Sequence, residues 1–576
     1  MTGTPYTATK QQAAIIARSG DAFITACPGA GKTRTMVERA KRLLASTYDR
    51  RGVAFLSFTN AAVEELEARL RAFGILPTPT FPSFIGTFDS FLWHFFIAPF
   101  GIPGCAKQPR LVPDKSSWKV EPFEGAQPLT LECFSRTTGK VIPAIAAGQG
   151  FDTATRSCIR HETAAASILS NALSEGLVDF DDVRVAVAER LADSAFADRL
   201  GAALNGRFRE VVVDEAQDCN PADLEVVTWL RRSGIPVNVI CDPNQSIYEF
   251  RGGVTDELRK FADTFVADDQ LEMTGNFRSS PAICSAIVRL RAPSDRGSPD
   301  EPLGPNKDNK QPVHILSYAG TSVPATIGAA FGKLASDLSL DLIDCPVVAA
   351  TRATAFNAVG QPAPKPTAHM TLLLAEAVTA FHFSFALGDR RNALAKLHRV
   401  VLLIQGHLSG EQGYHSYLNK AGLTRGEWRP SIIAIAKTLR HESSETSDEW
   451  LGRARSLLGP TLPTASTINQ RLRRPSDWGA TLTLPPDRAP PARTIHSVKG
   501  MEFPGVCVVM TTRTAKGILD FLEGGGGAEF EESARKLYVA ASRAERLLAI
   551  ASPKSQASRL EKHLQAGATA TLVHAI

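Results

Sequence analysis

The sequence predicts an α/β protein of two domains, each a parallel sheet flanked by helices and each interrupted by a mainly helical insertion. Three observations lead there. First, strands and helices alternate from the start. "DAFITAC" (21–27) and "VAFLSF" (53–58) are short apolar runs of strand type, while "TRTMVERAKRLLAS" (33–46) and "AAVEELEARLRAFG" (61–74) space their apolar residues as helices do, the second ending at glycine. Such alternation builds parallel sheets. Second, the pattern stops near 91, gives way to Pro/Gly loops and helical stretches, and resumes with "EVVVDEA" (210–216) and "PVNVICD" (236–242). Third, the sequence repeats this plan. After "RAPSDRGSPDEPLGPNKDNKQP" (291–312), which reads as an exposed loop, strands are expected at "VHILSY" (313–318) and "PVVAATR" (346–352). A mostly helical stretch fills 365–488. Strand character then returns in "TIHSVKGMEFPGVCVVM" (494–510), and "EESARKLYVAASRAERLL" (531–548) reads as a helix.

The bulk numbers agree with a multidomain globular chain. Its 576 residues exceed what one core organises, and 44% apolar with 21% charged residues suits a water-soluble fold. A formal net charge of +5 permits nucleic-acid binding without arguing for it. The nine cysteines include no CxxC pair, which disfavours a zinc or iron–sulfur site and fits a reduced, cytoplasmic compartment. "MTGTPYTATKQQ" has no apolar signal-peptide core. The apolar stretch "MTLLLAEAVTAFHFSFALGDRR" (370–391) is broken by Glu376 and His382, so a buried helix is expected and no membrane partner.

The chemistry begins at "ACPGAGKT" (26–33), which follows a strand and opens a helix, the setting of a phosphate-binding P-loop. Ala26 stands where the strict pattern has glycine. Gly29 and Gly31, with Pro28 and Ala30 between and before them, let backbone N–H groups approach phosphate oxygens. Lys32 can reach the β- and γ-phosphates, the Thr33 hydroxyl can ligate Mg²⁺, and Arg34 completes the candidate nucleotide-binding set. "VVVDEAQD" (211–218) supplies the acids such a site needs: Asp214 to hold the ion and Glu215 to polarise an attacking water. Taken alone these acids also fit a strand ending in solvent; beside a P-loop they fit ATP and Mg²⁺.

That block, with "VICDPNQSIYEFRGG" (239–253), "GNFRSS" (275–280), "TIHSVKGMEF" (494–503) and "KLYVAASRAE" (536–545), resembles the motif series of UvrD/Rep/PcrA-type DNA helicases of superfamily 1. "LSFTNAAVEEL" (56–66) and "IGTFDSF" (85–91) match the family's early motifs, and "TKQQAA" (9–14) matches the stretch with its adenine-reading glutamine. The resemblance implies two RecA-like P-loop domains with ATP between them. Residues 1–90 and 206–280 would be domain 1A, 91–205 insertion 1B, 281–355 and 489–576 domain 2A, and 356–488 a shortened insertion 2B.

It also implies roles. Gln11 would read adenine and Phe277, where the family usually has tyrosine, would stack on it. Gln245 and Arg278 would meet the γ-phosphate, Glu502 the ribose, and Arg543 would be an arginine finger. Phe58, Tyr248 and Phe250 match base-contacting aromatics. Thr59, Asn60, Thr87, Arg251 and His496 match other DNA contacts. Asp89 stands where the family carries histidine, and a carboxylate there would repel a phosphate path. "RGEWRP" and "RRPSDW" in the second insertion fit either phosphate contacts or a solvated basic surface. The implied activity is ATP-driven 3′-to-5′ translocation on single-stranded DNA and unwinding at single/double-strand junctions, of use in DNA repair. A second reading keeps the motifs but makes the chain a DNA- and nucleotide-responsive ATPase subunit that regulates a partner nuclease, as in bacterial antiphage systems.

Overall fold

A computed structural model of the chain describes residues 7–576 apart from 46–48, 113–114, 117, 124, 155–156, 248–254, 362–368, 387–389, 409–413, 415–416, 419–420, 422–424, 443–444, 463–466, 476–489 and 526. The chain forms two compact units, Met1–Phe277 and Arg278–Ile576.

The first unit is built on a six-stranded sheet of β1 (Ala22–Ala26), β2 (Gly52–Ser57), β3 (Phe84–Thr87), β4 (Phe208–Val213), β5 (Val237–Cys241) and β6 (Gln270–Met273). The order is β6–β1–β5–β4–β2–β3 and every pairing is parallel. Strands β2 and β5 are buried along their whole length, as a sheet covered on both faces requires. Side chains alternate between two cores. Ile24, Val53, Phe55, Val212 and Ile240 meet Ile15, Met36, Val37 and Leu70, which come from helices α1 (Lys10–Ala17), α2 (Lys32–Leu44) and α3 (Asn60–Ala72). Phe23, Ala54, Leu56, Val211, Val213 and Val239 face the other way.

That second face corrects one expectation. Residues 91–100, where Pro/Gly loops are expected to begin the insertion, belong to a continuous helix over 88–100 with a π-helical turn at Trp93–Ile97. Its Phe91, Leu92, Phe96 and Ile97 are buried in the core of the sheet. Between this helix and β4 lie α4 (Ser157–Ser174), α5 (Phe180–Ala192) and α6 (Ser194–Arg207). Helices α5 and α6 bury Val183, Val187, Leu200 and Leu204 in the same core. By contrast α4 gives Ala165 to a separate small cluster with Val120, Leu129, Leu131 and Phe134.

The second unit holds another six-stranded parallel sheet: β7 (Val313–Tyr318), β8 (Val347–Ala349), β9 (Ala492–Thr494), β10 (Phe503–Val509), β11 (Ala544–Pro553) and β12 (Thr571–Ala575). Its order is β9–β8–β10–β11–β7–β12. Between β8 and β9 the chain runs through α7 (Met370–Ala386), α8 (Arg390–Ile404), α9 (Arg425–Thr438) and α10 (Ser447–Leu458). These share a core of Leu374, Val378, Leu397, Val401, Ile432 and Trp450. No helix among the described residues is long and apolar enough to cross a membrane.

Helix α11 (Glu531–Ala541) ends earlier than its sequence suggested. The run from Leu547 is strand β11, buried between β10 and β7. Short apolar runs fit helix and buried strand equally, and here the sheet decides.

Candidate nucleotide-binding and catalytic site

The phosphate cradle grows out of β1. Cys27 N–H donates to Met273 O (2.9 Å), fixing the start of the turn, and Gly29 and Gly31 then take left-handed φ of 73° and 74°. Ala26 lies inside the strand, so alanine serves there without strain. Gly31 is needed twice over: a Cβ on it would come within 3.2 Å of Gln12 Nε2. Helix α2 opens directly at Lys32 with no side-chain cap, leaving its first N–H groups for an anion.

Strands β4 and β5 bring the acids. Lys32 Nζ lies 3.1 Å from Glu215 Oε1. Glu215 sits at φ 57°, a left-handed conformation that costs a non-glycine residue on the order of 1–3 kcal/mol and clusters at functional sites. Gln217 Nε2 donates to Glu215 Oε2, and Gln217 Oε1 accepts from Asp242 N–H (3.1 Å). Asp242 Oδ2 in turn accepts from Gln245 Nε2 (2.8 Å). A continuous polar line therefore runs from Lys32 to Gln245.

Burial works against the charge on Lys32, but the carboxylates of Glu215, Asp214 and Asp242 outweigh it and hold the ammonium above its ordinary pKa. Burial and the neighbouring Glu215 push Asp214 up to about 6, against the pull of Lys32. Three carboxylates around one lysine leave room for another cation. Thr33, Ser57 and Asp214 line a common small cavity, and Ser57 Oγ is buried there with no hydrogen-bond partner among the described residues. Hydroxyl and carboxylate oxygens suit Mg²⁺, which takes few protein ligands and completes its shell with water and phosphate. No group of three or more His, Cys, Asp or Glu able to cage a metal exists among the described residues.

On the base side, Gln11 Oε1 accepts from Thr274 N–H (2.9 Å) and its hydroxyl (3.2 Å). Phe277 is half-buried and its N–H donates to Gly29 O (2.9 Å), which sets the ring beside the cradle. Pro28 and Ala30 are buried in the turn and Arg34 is exposed on α2.

The second unit gathers its own three candidates. Arg278 ion-pairs with Glu502 and donates from Nη1 to Ser542 O (2.9 Å). Arg543, 3% exposed, donates from Nε to Val539 O (3.0 Å) at the end of α11 and from Nη2 to Ser542 Oγ (2.9 Å).

Of the expected DNA contacts, Phe58 is half-buried and stacks nearly parallel on buried Phe88, with centroids 5.5 Å apart and planes at 10°. Thr59 and Thr87 hydroxyls cap the helices that follow them, accepting from Ala62 N–H (3.3 Å) and Ser90 N–H (3.1 Å). Asn60 is exposed at the start of α3, and His496 is half-exposed in the short helix after β9. Tyr248, Phe250 and Arg251 lie outside the described residues. Asp89 does not stand as a bare negative charge: Arg184 Nη2 pairs with it at 2.7 Å while Arg184 Nε pairs with buried Asp223 at 2.8 Å.

Sequence reasoning passed over Gln12, Gln217 and Arg184. Gln12 closes a capping box with Thr9 and donates from Nε2 to Ala30 O (3.0 Å). Gln217 could have been found, since it lies within "VVVDEAQD". Arg184 carries no local signal.

The description "UvrD/REP helicase N-terminal domain" belongs to the family model that matches residues 7–97 and 130–266. The ATP-dependent DNA helicase UvrD2 of Mycobacterium tuberculosis is 25% identical over 317 residues, 49% of this chain and 43% of that protein. DNA helicase II of Escherichia coli is 22% identical over 311 residues, 49% of this chain and 39% of that one. The ATP-dependent DNA helicase UvrD1 of Mycobacterium bovis is 33% identical over 116 residues, 19% of this chain and 15% of that one. The matched stretches thus span less than half the length of these relatives.

Proposed function

Because the chain is of the UvrD/Rep helicase type, with two RecA-like α/β units, we propose that it hydrolyses ATP to move 3′-to-5′ along single-stranded DNA and to open duplexes at single/double-strand junctions. One observation carries this reading: the polar line Lys32–Glu215–Gln217–Asp242–Gln245 at the mouth of a P-loop.

Lys32 and the open N-terminus of α2 bind the triphosphate. Asp214 and Thr33 would hold Mg²⁺, which would neutralise phosphate charge. Glu215 orients the attacking water, and its Gln217 contact fixes the carboxylate for that task. Gln245, tied to Asp242, reports on the γ-phosphate. Gln11 and Phe277 take the adenine, Glu502 the ribose. Arg278 and Arg543 spread positive charge over the γ-phosphate in the transition state, a task for planar guanidinium groups. Phe58, Tyr248 and Phe250 stack bases, while Thr59, Asn60, Thr87, Arg251 and His496 follow the strand. The partition into 1A (1–90, 206–280), 1B (91–205), 2A (281–355, 489–576) and 2B (356–488) belongs to the same proposal.

The test is ATP hydrolysis by the purified chain with and without single-stranded DNA, followed by strand displacement on 3′- and 5′-tailed duplexes. DNA-stimulated hydrolysis with displacement on the 3′ tail alone supports the reading. Displacement on the 5′ tail overturns the polarity. DNA-stimulated hydrolysis without displacement of either substrate returns the nuclease-regulating subunit to first place.

A further inference from the structure

Helix α1 carries Gln11, yet it has little to hold it. It is an eight-residue helix, too short to be stable alone, and it buries only Gln12 and Ile15. Its placement therefore depends on polar tethers. At the N-terminal end these are Gln12 to Ala30 O and Gln11 to Thr274. At the C-terminal end one is the ion pair of Arg18 with Asp269, and the others come from α2, the helix that Lys32 opens. Arg39 Nη1 donates to Ile15 O and to Arg18 O (3.0 Å), and Arg42 Nη1 donates to Ile16 O (3.1 Å). Ile15 O also accepts from Arg18 N–H (3.3 Å), and a cation suits carbonyls at the end of a helix.

Arg39 is 1% exposed and is held by Glu210, 3% exposed, on β4 four residues before Asp214. The pair is bidentate, Nε to Oε1 at 2.6 Å and Nη2 to Oε2 at 2.5 Å. A buried ion pair contributes little to stability over an apolar pair of the same volume. What an apolar pair would not do is aim Nη1 at the end of α1. With the Nε/Nη2 edge of the planar fork taken by Glu210, the orientation of Nη1 is set as well.

We infer that Arg39 is a positioning residue for nucleobase selection, fixing through its Glu210-held guanidinium the helix that presents Gln11. The inference rests on the reading that Gln11 meets the adenine. Loosening the clamp frees the base-reading helix while leaving Lys32, Asp214 and Glu215 in place.

The experiment measures kcat and KM for ATP and for GTP, with thermal melting of each variant, in Arg39→Leu/Glu210→Leu, Arg39→Lys and Gln11→Ala. The double variant leaves no buried charge unpaired. Arg39→Lys keeps a cation for Glu210, but a single ammonium cannot serve the carboxylate and both carbonyls, so it stands in if the double variant fails to fold. The expected result is a rise in KM for ATP of about tenfold, the worth of one lost hydrogen bond, a matching fall in preference for ATP over GTP, and kcat close to wild type. Wild-type KM and preference in the folded clamp variants, with preference lost in Gln11→Ala, would overturn the clamp. Unchanged preference in Gln11→Ala would overturn the base-reading role beneath it and the inference with it.

Discussion

The two sheets have the same strand count and the same parallel sense, but they present their candidate residues at opposite ends. The contrast holds for the nucleotide-site candidates: in the first unit Lys32, Asp214, Glu215 and Asp242 follow the carboxyl ends of β1, β4 and β5. In the second, Glu502 and Arg543 immediately precede the amino ends of β10 and β11. The difference follows from helix polarity. Helix N-termini gather at the carboxyl ends of parallel strands and offer N–H groups to an anion, so the first unit can cradle phosphate with backbone. Helix C-termini gather at the amino ends and offer carbonyls, which hold cations. Arg543 accordingly hangs on Val539 O at the end of α11, and Arg278 on Ser542 O. On the proposed reading, the first unit would receive phosphate and the second would supply the guanidinium groups.

The contrast is sharpest in two substitutions. Lys32→Ala removes the cation paired to Glu215 and leaves Asp214, Glu215 and Asp242 facing one another. ATP hydrolysis should fall below detection in a steady-state assay and nucleotide binding should weaken. Arg543→Ala should instead slow hydrolysis by about a thousandfold, the low end for an arginine finger, while fluorescent ATP-analogue binding persists. If Arg543→Ala turned over near the wild-type rate, the second sheet would lose its catalytic part and the comparison its meaning.

Stability separates the units next. Arg184 neutralises both Asp89 and Asp223, and Asp223 is 1% exposed. Arg184→Met should destabilise the first unit by about 3 kcal/mol in denaturant unfolding, because it strands a buried carboxylate. Arg184→Met/Asp223→Leu should recover much of the loss. The second unit has a pH-dependent counterpart. His314 Nδ1 lies 2.8 Å from His574 Nε2, joining β7 to the edge strand β12. Burial, helped by the charge of His574, lowers the His314 pKa to about 4. The unfolded chain takes up that proton below about 6.5 and the native one does not, so stability is full above that pH and falls as pH drops from about 6.5 to 4. The loss should reach at most about 3 kcal/mol, and His314→Gln should flatten it.

What the sequence reveals depends on how local the chemistry is. Lys32, Thr33, Asp214 and Glu215 are legible because a P-loop and an acid-ended strand are short patterns with one physical purpose. Gln217 was within sight and went unread, because its task is to bridge two strands rather than to touch a ligand. Arg39–Glu210 and Arg184–Asp223 are ion pairs between residues 171 and 39 positions apart, and nothing in either neighbourhood names the partner. The parallel sheets followed from alternation, whereas the end of α11 did not. The run "LLAIA" in β11 is apolar on every side, and only its place between β10 and β7 makes it a strand.

The smallest expected effect tests whether the first unit also carries a DNA platform. Phe58 closes the stretch after β2 and lies flat on Phe88, which is fully buried. A ring backed in this way is already ordered, so a base stacking on it would lose little side-chain entropy in the process. Phe58→Ala should therefore weaken single-stranded DNA binding by about 1–2 kcal/mol, within the usual worth of one stacked base. Fluorescence anisotropy with a labelled oligonucleotide reads it. The salt dependence should keep its slope, since no phosphate contact is lost. Unchanged affinity would make Phe58 a core residue that packs on Phe88 for the sheet alone. A changed slope would mean that the substitution disturbed Thr59 and Asn60 at the start of α3 rather than a stacking face.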